Sequence, residues 1–189
     1  MDVLDHNLAG KLLISMPDMG DPRFDRSVIY VCSHDADGAM GLIVNKPRRK
    51  LRFFKLLKQL EIEVTGIVRE TRVYYGGPVE TLRGFVLHTS DYHCDAGTEH
   101  VHGDISLTAT IDVLQDIAMG KGPKTSLMGL GYAGWGPDQL EDEIAANSWL
   151  ICDATDALVF GKQDDAKWTQ ALAQLGVSPN FLSTTAGHA

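Results

Sequence analysis

A chain of 189 residues with 44% hydrophobic and 22% charged residues has the composition of an ordinary globular protein of one domain, residues 1–189, and not of a disordered chain. Its 17 Lys and Arg against 25 Asp and Glu leave a net charge of −8, which repels a phosphate backbone and argues against direct DNA or RNA binding. Cys32, Cys94 and Cys152 lie far apart without a CxxC pair, so neither a disulfide framework nor a Cys-based zinc site is expected.

The opening MDVLDHNLAGKLLISMPDMGD carries early acids and lacks the basic and apolar regions of a secretory leader. No apolar run reaches the roughly 18 residues of a membrane-spanning helix, so a cytoplasmic protein without membrane association is expected. KLLIS (11–15) reads as a short strand ended by Pro17, and SVIYVCS (27–33), rich in β-branched residues, as a second. MGLIVN (40–45) is a third, joined to the second by the turn-rich HDADGA as an antiparallel hairpin. After Pro47, Phe53, Leu56, Leu57 and Leu60 recur at helical spacing among Arg and Lys. This basic stretch, KPRRKLRFFKLLK (46–58), is read as the solvated side of that helix, since no nucleic-acid motif accompanies it.

RVYYGG (72–77) and RGFVLHTS (83–90) are strands, with PVETL as a short antiparallel connection between them. ISLTA (105–109) is a brief strand, after which Thr110 caps a helix with Ile111, Leu114, Ile117 and Ala118 inward, stopping near Gly120. TSLMGLGYAG (125–134) is a Gly-interrupted strand and PDQLEDEIAAN (137–147) a helix. SWLICD and ALVFG bracket an acidic turn. The last helix, 164–175, has Asp164 as N-cap, Trp168, Leu172 and Leu175 inward, and Gly176 as C-cap. Strands joined mostly by short turns, with helices at intervals, point to an α+β fold with a largely antiparallel sheet.

The stretch MGLGYAGWGPDQLEDE (128–143) has glycines ahead of a helix N-terminus, as phosphate-binding loops do. Asp138, Glu141, Asp142 and Glu143 crowd that helix start and would repel a phosphate, so the glycines are read as bends or close backbone approaches. Pro137 suits the first helical position, and Asp138 with Glu141 a capping box. Asn45 ends a strand, where it either meets a ligand or holds its own turn. GGPV (76–79) reads as a tight turn. Cys32 and His34, two apart on a strand, would share a face and form a Cys/His pair, against the plainer reading of a core cysteine beside a strand-end histidine.

HTSDYHCDAGTEHVHGD (88–104) gathers four of the seven histidines. His100 and His102 form a His-x-His pair that, with His93 and Cys94, offers a weak alternative zinc site. No ligand pair has the spacing of a structural site, so no metal or other cofactor is expected. The segment is otherwise a solvated hairpin loop whose histidines make it pH-sensitive near 6.5.

MPDMGDPRFDRSVIYVCSH, GLIVNKP, YYGGPVE, GFVLH, SLTAT and above all LGYAGWGPDQLEDEIAANSWL, in this order, resemble the YqgE/AlgH family of small bacterial proteins from about Leu8 to Trp149. The resemblance implies a single α+β domain with a coiled, bifurcated, mostly antiparallel sheet, partly barrel-like, surrounded by helices. One branch of the family is associated with transcriptional regulation of alginate production. It carries over no catalytic set, and GxSxG and HExxH signatures are absent from the chain. The expectation is therefore a binding or regulatory module rather than an enzyme. Its candidate ligand residues are Asn45, His88, Tyr132, Trp135, Gln139 and Glu141, and its partner a small molecule or a protein. The alternatives are an enzyme with a pocket near Asn45, His88 and Glu141, and a structural or assembly protein. Of the histidine segment, His88 belongs to the family motif and the others match nothing shared.

Overall fold

A computed structural model describes residues 7–182, so residues 1–6, on which the leader expectation partly rests, lie outside the described residues. Among the described residues nine strands form one curled sheet: β1 (Lys11–Ser15), β2 (Val28–Asp35), β3 (Gly38–Ile43), β4 (Arg72–Tyr75), β5 (Val79–Thr89), β6 (Thr98–His102), β7 (Ile105–Thr108), β8 (Ser126–Trp135) and β9 (Trp149–Asp153). Five α-helices among the described residues accompany them: α1 (Phe53–Gln59), α2 (Ile111–Ala118), α3 (Gln139–Ala145), α4 (Asp156–Phe160) and α5 (Asp164–Gln174). The strand order is β6-β7-β5-β8-β3-β2-β1-β9, antiparallel throughout, with β4 added parallel to β8. The result is a single α+β domain built on a half-barrel. No helix among the described residues is long and apolar enough to cross a membrane.

The sheet forks along β8. Leu127 to Leu130 pair with β4, whereas Ala133 to Trp135 pair with β3 on the same edge. At the fork the Gly76 N–H donates to Leu130 O and the Ile43 N–H to Gly76 O, each at 2.9 Å. Gly131 sits here at φ +75°, and a Cβ on it would lie 2.4 Å from Gly77 O. No other residue type fits such a backbone without strain, so these glycines are close-approach positions, as the sequence suggests.

Alternation on the strands feeds two cores. Leu12, Ile14, Val28 and Tyr30 face the inside of the half-barrel, where α4 and α5 plug it with Leu158, Trp168 and Leu172. Their neighbours Leu13, Ile29 and Val31 face outward under α3, against Trp135, Leu140 and Trp149. Both faces are buried, which is why these strands read as unbroken apolar runs. A further layer on β4, β5 and β8 is covered by Phe53 and Leu57 of α1 and by Val113, Leu114 and Ile117 of α2.

Several expectations are corrected. PVETL is not a hairpin turn between paired strands: residues 79–82 already belong to β5, and β4 and β5 pair with opposite edges of β8. Residues 98–102, expected as loop, form β6, paired with β7 around a bulge between His100 and His102. ALVFG is α4, capped by Thr155, whose hydroxyl accepts from the Leu158 N–H at 3.3 Å. Pro137 precedes α3, and Asp138 adopts a left-handed conformation (φ 59°) without a side-chain capping bond. Gln163, not Asp164, is the N-cap of α5, and Thr110 holds the α2 cap position without a side-chain bond. Leu60, Ile111 and Leu175, expected inward, are exposed.

Asp164 is instead buried within α5, where it gathers a polar cluster. Arg72 pairs with it, Tyr74 donates to it at 3.0 Å and the Lys167 ammonium lies 3.2 Å away. Lys167, fully buried, also donates to Val44 O at 2.8 Å and Val159 O at 3.0 Å. Burial pulls the Lys167 ammonium below its ordinary value while the Asp164 carboxylate opposes the shift. With every ammonium proton partnered, this lysine ties α5 to α4 and to the residue that follows β3.

Candidate functional site

The mouth of the half-barrel forms an open groove of about 620 Å³. Its origin is a register jump in β5: Val79 pairs with Tyr132, but the next pair is Gly84 with Leu130. The intervening residues leave the ladder, with Glu80 at φ 44°, and hold the mouth open. Phe85 and Tyr132 make the floor, their rings edge to face at 5.6 Å, and the Arg83 guanidinium lies 5.1 Å above Phe85. Arg83 also meets Glu80 at 3.3 Å. Asp35, Asp37 and Glu99 line the rim, and Met40, Gly134 and Trp135 the inner wall.

Behind Trp135 lies a smaller cleft of about 300 Å³, lined by Phe24, Val79, Trp135, Gln139 and Glu143 among others. Glu143 organises this wall. Its Oε2 accepts from Trp135 Nε1 at 2.9 Å and from Trp149 Nε1 at 2.7 Å. Its Oε1 accepts from Gln139 Nε2 at 2.9 Å, and Gln139 Oε1 accepts from the Gly136 N–H at 2.9 Å. One carboxylate thus fixes two indoles and the entry to α3.

Three of the six candidate residues are brought together: Tyr132 and Trp135 line the groove, and Gln139 lines the cleft that shares Trp135. Asn45, His88 and Glu141 line neither. Asn45 accepts from the Val28 N–H at 2.9 Å and donates to Arg26 O at 2.8 Å, stapling the turn before β2. Glu141 accepts from His34 Nε2 at 2.6 Å, while His34 Nδ1 accepts from the Leu8 N–H at 3.0 Å. The pocket postulated around Asn45, His88 and Glu141 is not formed by these cavities, because each side chain is committed to a different part of the scaffold.

His88 is fully buried. A carbonyl can only accept, so Nδ1–H donates to Thr89 O at 2.9 Å and Nε2 accepts from Thr108 Oγ1 at 2.8 Å. Thr98 Oγ1 donates in turn to Thr108 at 2.7 Å and accepts from the Cys94 N–H at 2.9 Å. With the ring neutral, the state that burial favours, Nε2 is an acceptor and the bonds run in one direction from Thr98 through Thr108 to His88. Burial correspondingly lowers the His88 pKa.

The cysteine and histidine alternatives separate. The register shift between Val31 and Ser33 makes Cys32 the extra residue of a bulge, so Ser33 and Asp35 line the groove while His34 turns to α3. Burial pushes the Cys32 thiol far up, as it pushes Cys152 up to about 11, which leaves neither as a ready thiolate. In the histidine segment, His93 meets Asp95 at 3.3 Å, Cys94 packs beside the α1–α2 layer, and the bulge in β6 breaks the shared face of His100 and His102. Among the described residues no group of three or more His, Cys, Asp or Glu is placed to hold a metal ion.

Glu143 is the residue that sequence reasoning missed as a site candidate. The available signal was its position four residues after Gln139, one helical turn on, which puts both on one side of α3.

The sequence model described as AlgH-like matches residues 12–180. A UPF0301 protein of Ruegeria pomeroyi is 53% identical over 184 residues, covering 97% of this chain and 100% of the relative. One from Cereibacter sphaeroides is 51% identical over 183 residues, with the same coverage. Among solved structures, the AlgH protein from Pseudomonas aeruginosa superposes with a TM-score of 0.78 at 40% identity, covering 100% of both chains. A crystal structure from Corynebacterium diphtheriae, at 18% identity and a TM-score of 0.70 over 87% of this chain and 85% of that one, shares the fold.

Proposed function

The chain belongs to the AlgH-like family, and we propose that it acts in the cytoplasm as a binding module whose ligand site is the groove floored by Phe85 and Tyr132. The observation carrying this reading is the groove itself. A register break opens it, two edge-to-face rings floor it, and the Glu143 network holds its Trp135 wall rigid from behind. Rigid aromatic faces bind with little entropic cost, and about 620 Å³ suits a small molecule or a short partner segment. The rim carboxylates of Asp35, Asp37 and Glu99, against a single Arg83 already paired with Glu80, favour a neutral or cationic occupant. A regulatory action would run through that occupant and not through duplex DNA, which a net charge of −8 opposes.

The test is native mass spectrometry of protein equilibrated with a small-molecule extract of its host. The wild type retains a bound mass and Tyr132→Ala, with an unchanged circular dichroism spectrum, loses it. Equal retention by both proteins would place the occupant elsewhere and defeat the proposal.

A further inference from the structure

The protein's cations are not spread evenly over its surface. Arg69, Arg72, Lys124 and Lys162 line a cleft of about 410 Å³ between the start of β4, the α2–β8 connection and the residues after α4. An adjoining cleft of about 280 Å³, which shares Glu70, Thr71 and Arg72 as a common wall, adds Arg48, Arg49 and Arg52. Seven of the 17 Lys and Arg therefore meet across two connected hollows whose lining contains one carboxylate, Glu70.

The fold uses only part of this charge. Arg72 pairs with Asp164 and Arg49 with Asp165 at 2.9 Å, and Lys124 lies near enough to Asp91 to lower its pKa. Arg69 donates to a backbone carbonyl, Lys124 O, at 3.0 Å and, among the described residues, forms no ion pair. Among the described residues, Arg48, Arg52 and Lys162 form no ion pair. Like charges converging on one hollow repel, and an anion is what relieves them. The wall also supplies neutral donors. Thr71 Oγ1 and Ser126 Oγ share one hydrogen bond at 3.0 Å, so one of the two hydroxyl protons remains for a further acceptor. Opposite them, Ile117, Pro123 and Phe160 give the larger cleft an apolar side.

We propose that this cleft is a second binding site, distinct from the aromatic groove, for a small organic phosphate. The phosphate sits among Arg69, Arg72 and Lys162 and the organic body lies against Ile117 and Phe160. A planar guanidinium fork matches phosphate oxygens, and four convergent cations supply the long-range attraction. A small ligand is favoured over a nucleic acid because the phosphates of a long strand would run beyond the basic hollows onto a molecule with 25 acids.

The experiment is a titration of isotope-labelled protein followed by amide chemical shifts, with pyrophosphate, ADP and a short single-stranded oligonucleotide as separate probes. The expected result is shifts confined to residues 69–72, 120–126 and 160–162, with ADP tighter than pyrophosphate. Lys162→Glu, at an exposed position with no ion pair, should leave the remaining spectrum unchanged and weaken ADP about tenfold, as should Arg69→Glu. The proposal is overturned by no shifts in this cleft, by ADP binding no tighter than pyrophosphate, by a Lys162→Glu protein that binds as well as wild type, or by an oligonucleotide that binds more tightly than ADP.

Discussion

Replacing Glu143 by alanine removes one carboxylate from between two indoles. Trp135 and Trp149 are buried, and both ring N–H groups donate to the same oxygen, at 2.9 and 2.7 Å. A hydrogen bond to a charged group contributes about 1.5–3 kcal/mol, and a buried donor left unpaired costs about 1–3 kcal/mol. Two such bonds would sum to roughly 3–6 kcal/mol, but Glu143 is only half-buried and water can reach part of the gap, so about 2–4 kcal/mol is expected. For a domain of this size that is a fall in Tm of about 5–15 °C. Glu143→Gln keeps one acceptor oxygen and should lose less than half as much. Urea unfolding followed by tryptophan emission measures both, and two of the three tryptophans report directly on the site. An alanine variant within about 0.5 kcal/mol of wild type would refute the claim that this carboxylate holds the groove wall.

Acidification should destabilise the protein through His88. Its folded pKa lies below the ordinary 6.5, so the unfolded chain takes up the proton first; stability is full above about pH 6.5 and falls as pH drops towards the folded value. His88→Gln should flatten that acid limb in urea midpoints taken between about pH 7.5 and 5.5, and an unchanged slope would count against it. Gly131→Ala, at φ +75° with a Cβ 2.4 Å from Gly77 O, should cost roughly 3 kcal/mol or more and yield little folded protein. Asp164→Ala leaves the Lys167 ammonium and the Arg72 guanidinium short of their carboxylate and should cost about 3–5 kcal/mol. The double variant with Lys167→Met should lose less than the sum of the single changes.

The parts of the fold that were legible in the sequence are those with a local cause. Strands such as VIYVC announce themselves because both faces are buried, and the turn between β2 and β3 announces itself by composition. Two elements were hidden for different reasons. The parallel pairing of β4 with β8 is set some fifty residues away by the fork at Gly131, and the GGPV turn looks locally like a hairpin. The β6 strand lies on a sheet edge with one solvated face and a bulge, so no alternation survives in TEHVH. The family motif carried Tyr132, Trp135 and Gln139, which line the proposed groove and the cleft behind it. It also carried Asn45, His88 and Glu141, whose polar atoms are consumed by the scaffold, because a motif does not distinguish a residue that holds a turn from one that meets a ligand. To the pH sensitivity expected of the histidine loop the structure adds that of a buried ring, His88, bonded to Thr89 and Thr108.

The most direct test of the groove is amide chemical-shift mapping with a library of neutral and cationic aromatic fragments, which the basic clefts do not attract. The groove reading predicts shifts clustered at residues 38–40, 83–85 and 132–135, all lost in Tyr132→Ala. Fragments that bind elsewhere, or that bind the Tyr132→Ala protein unchanged, would contradict it.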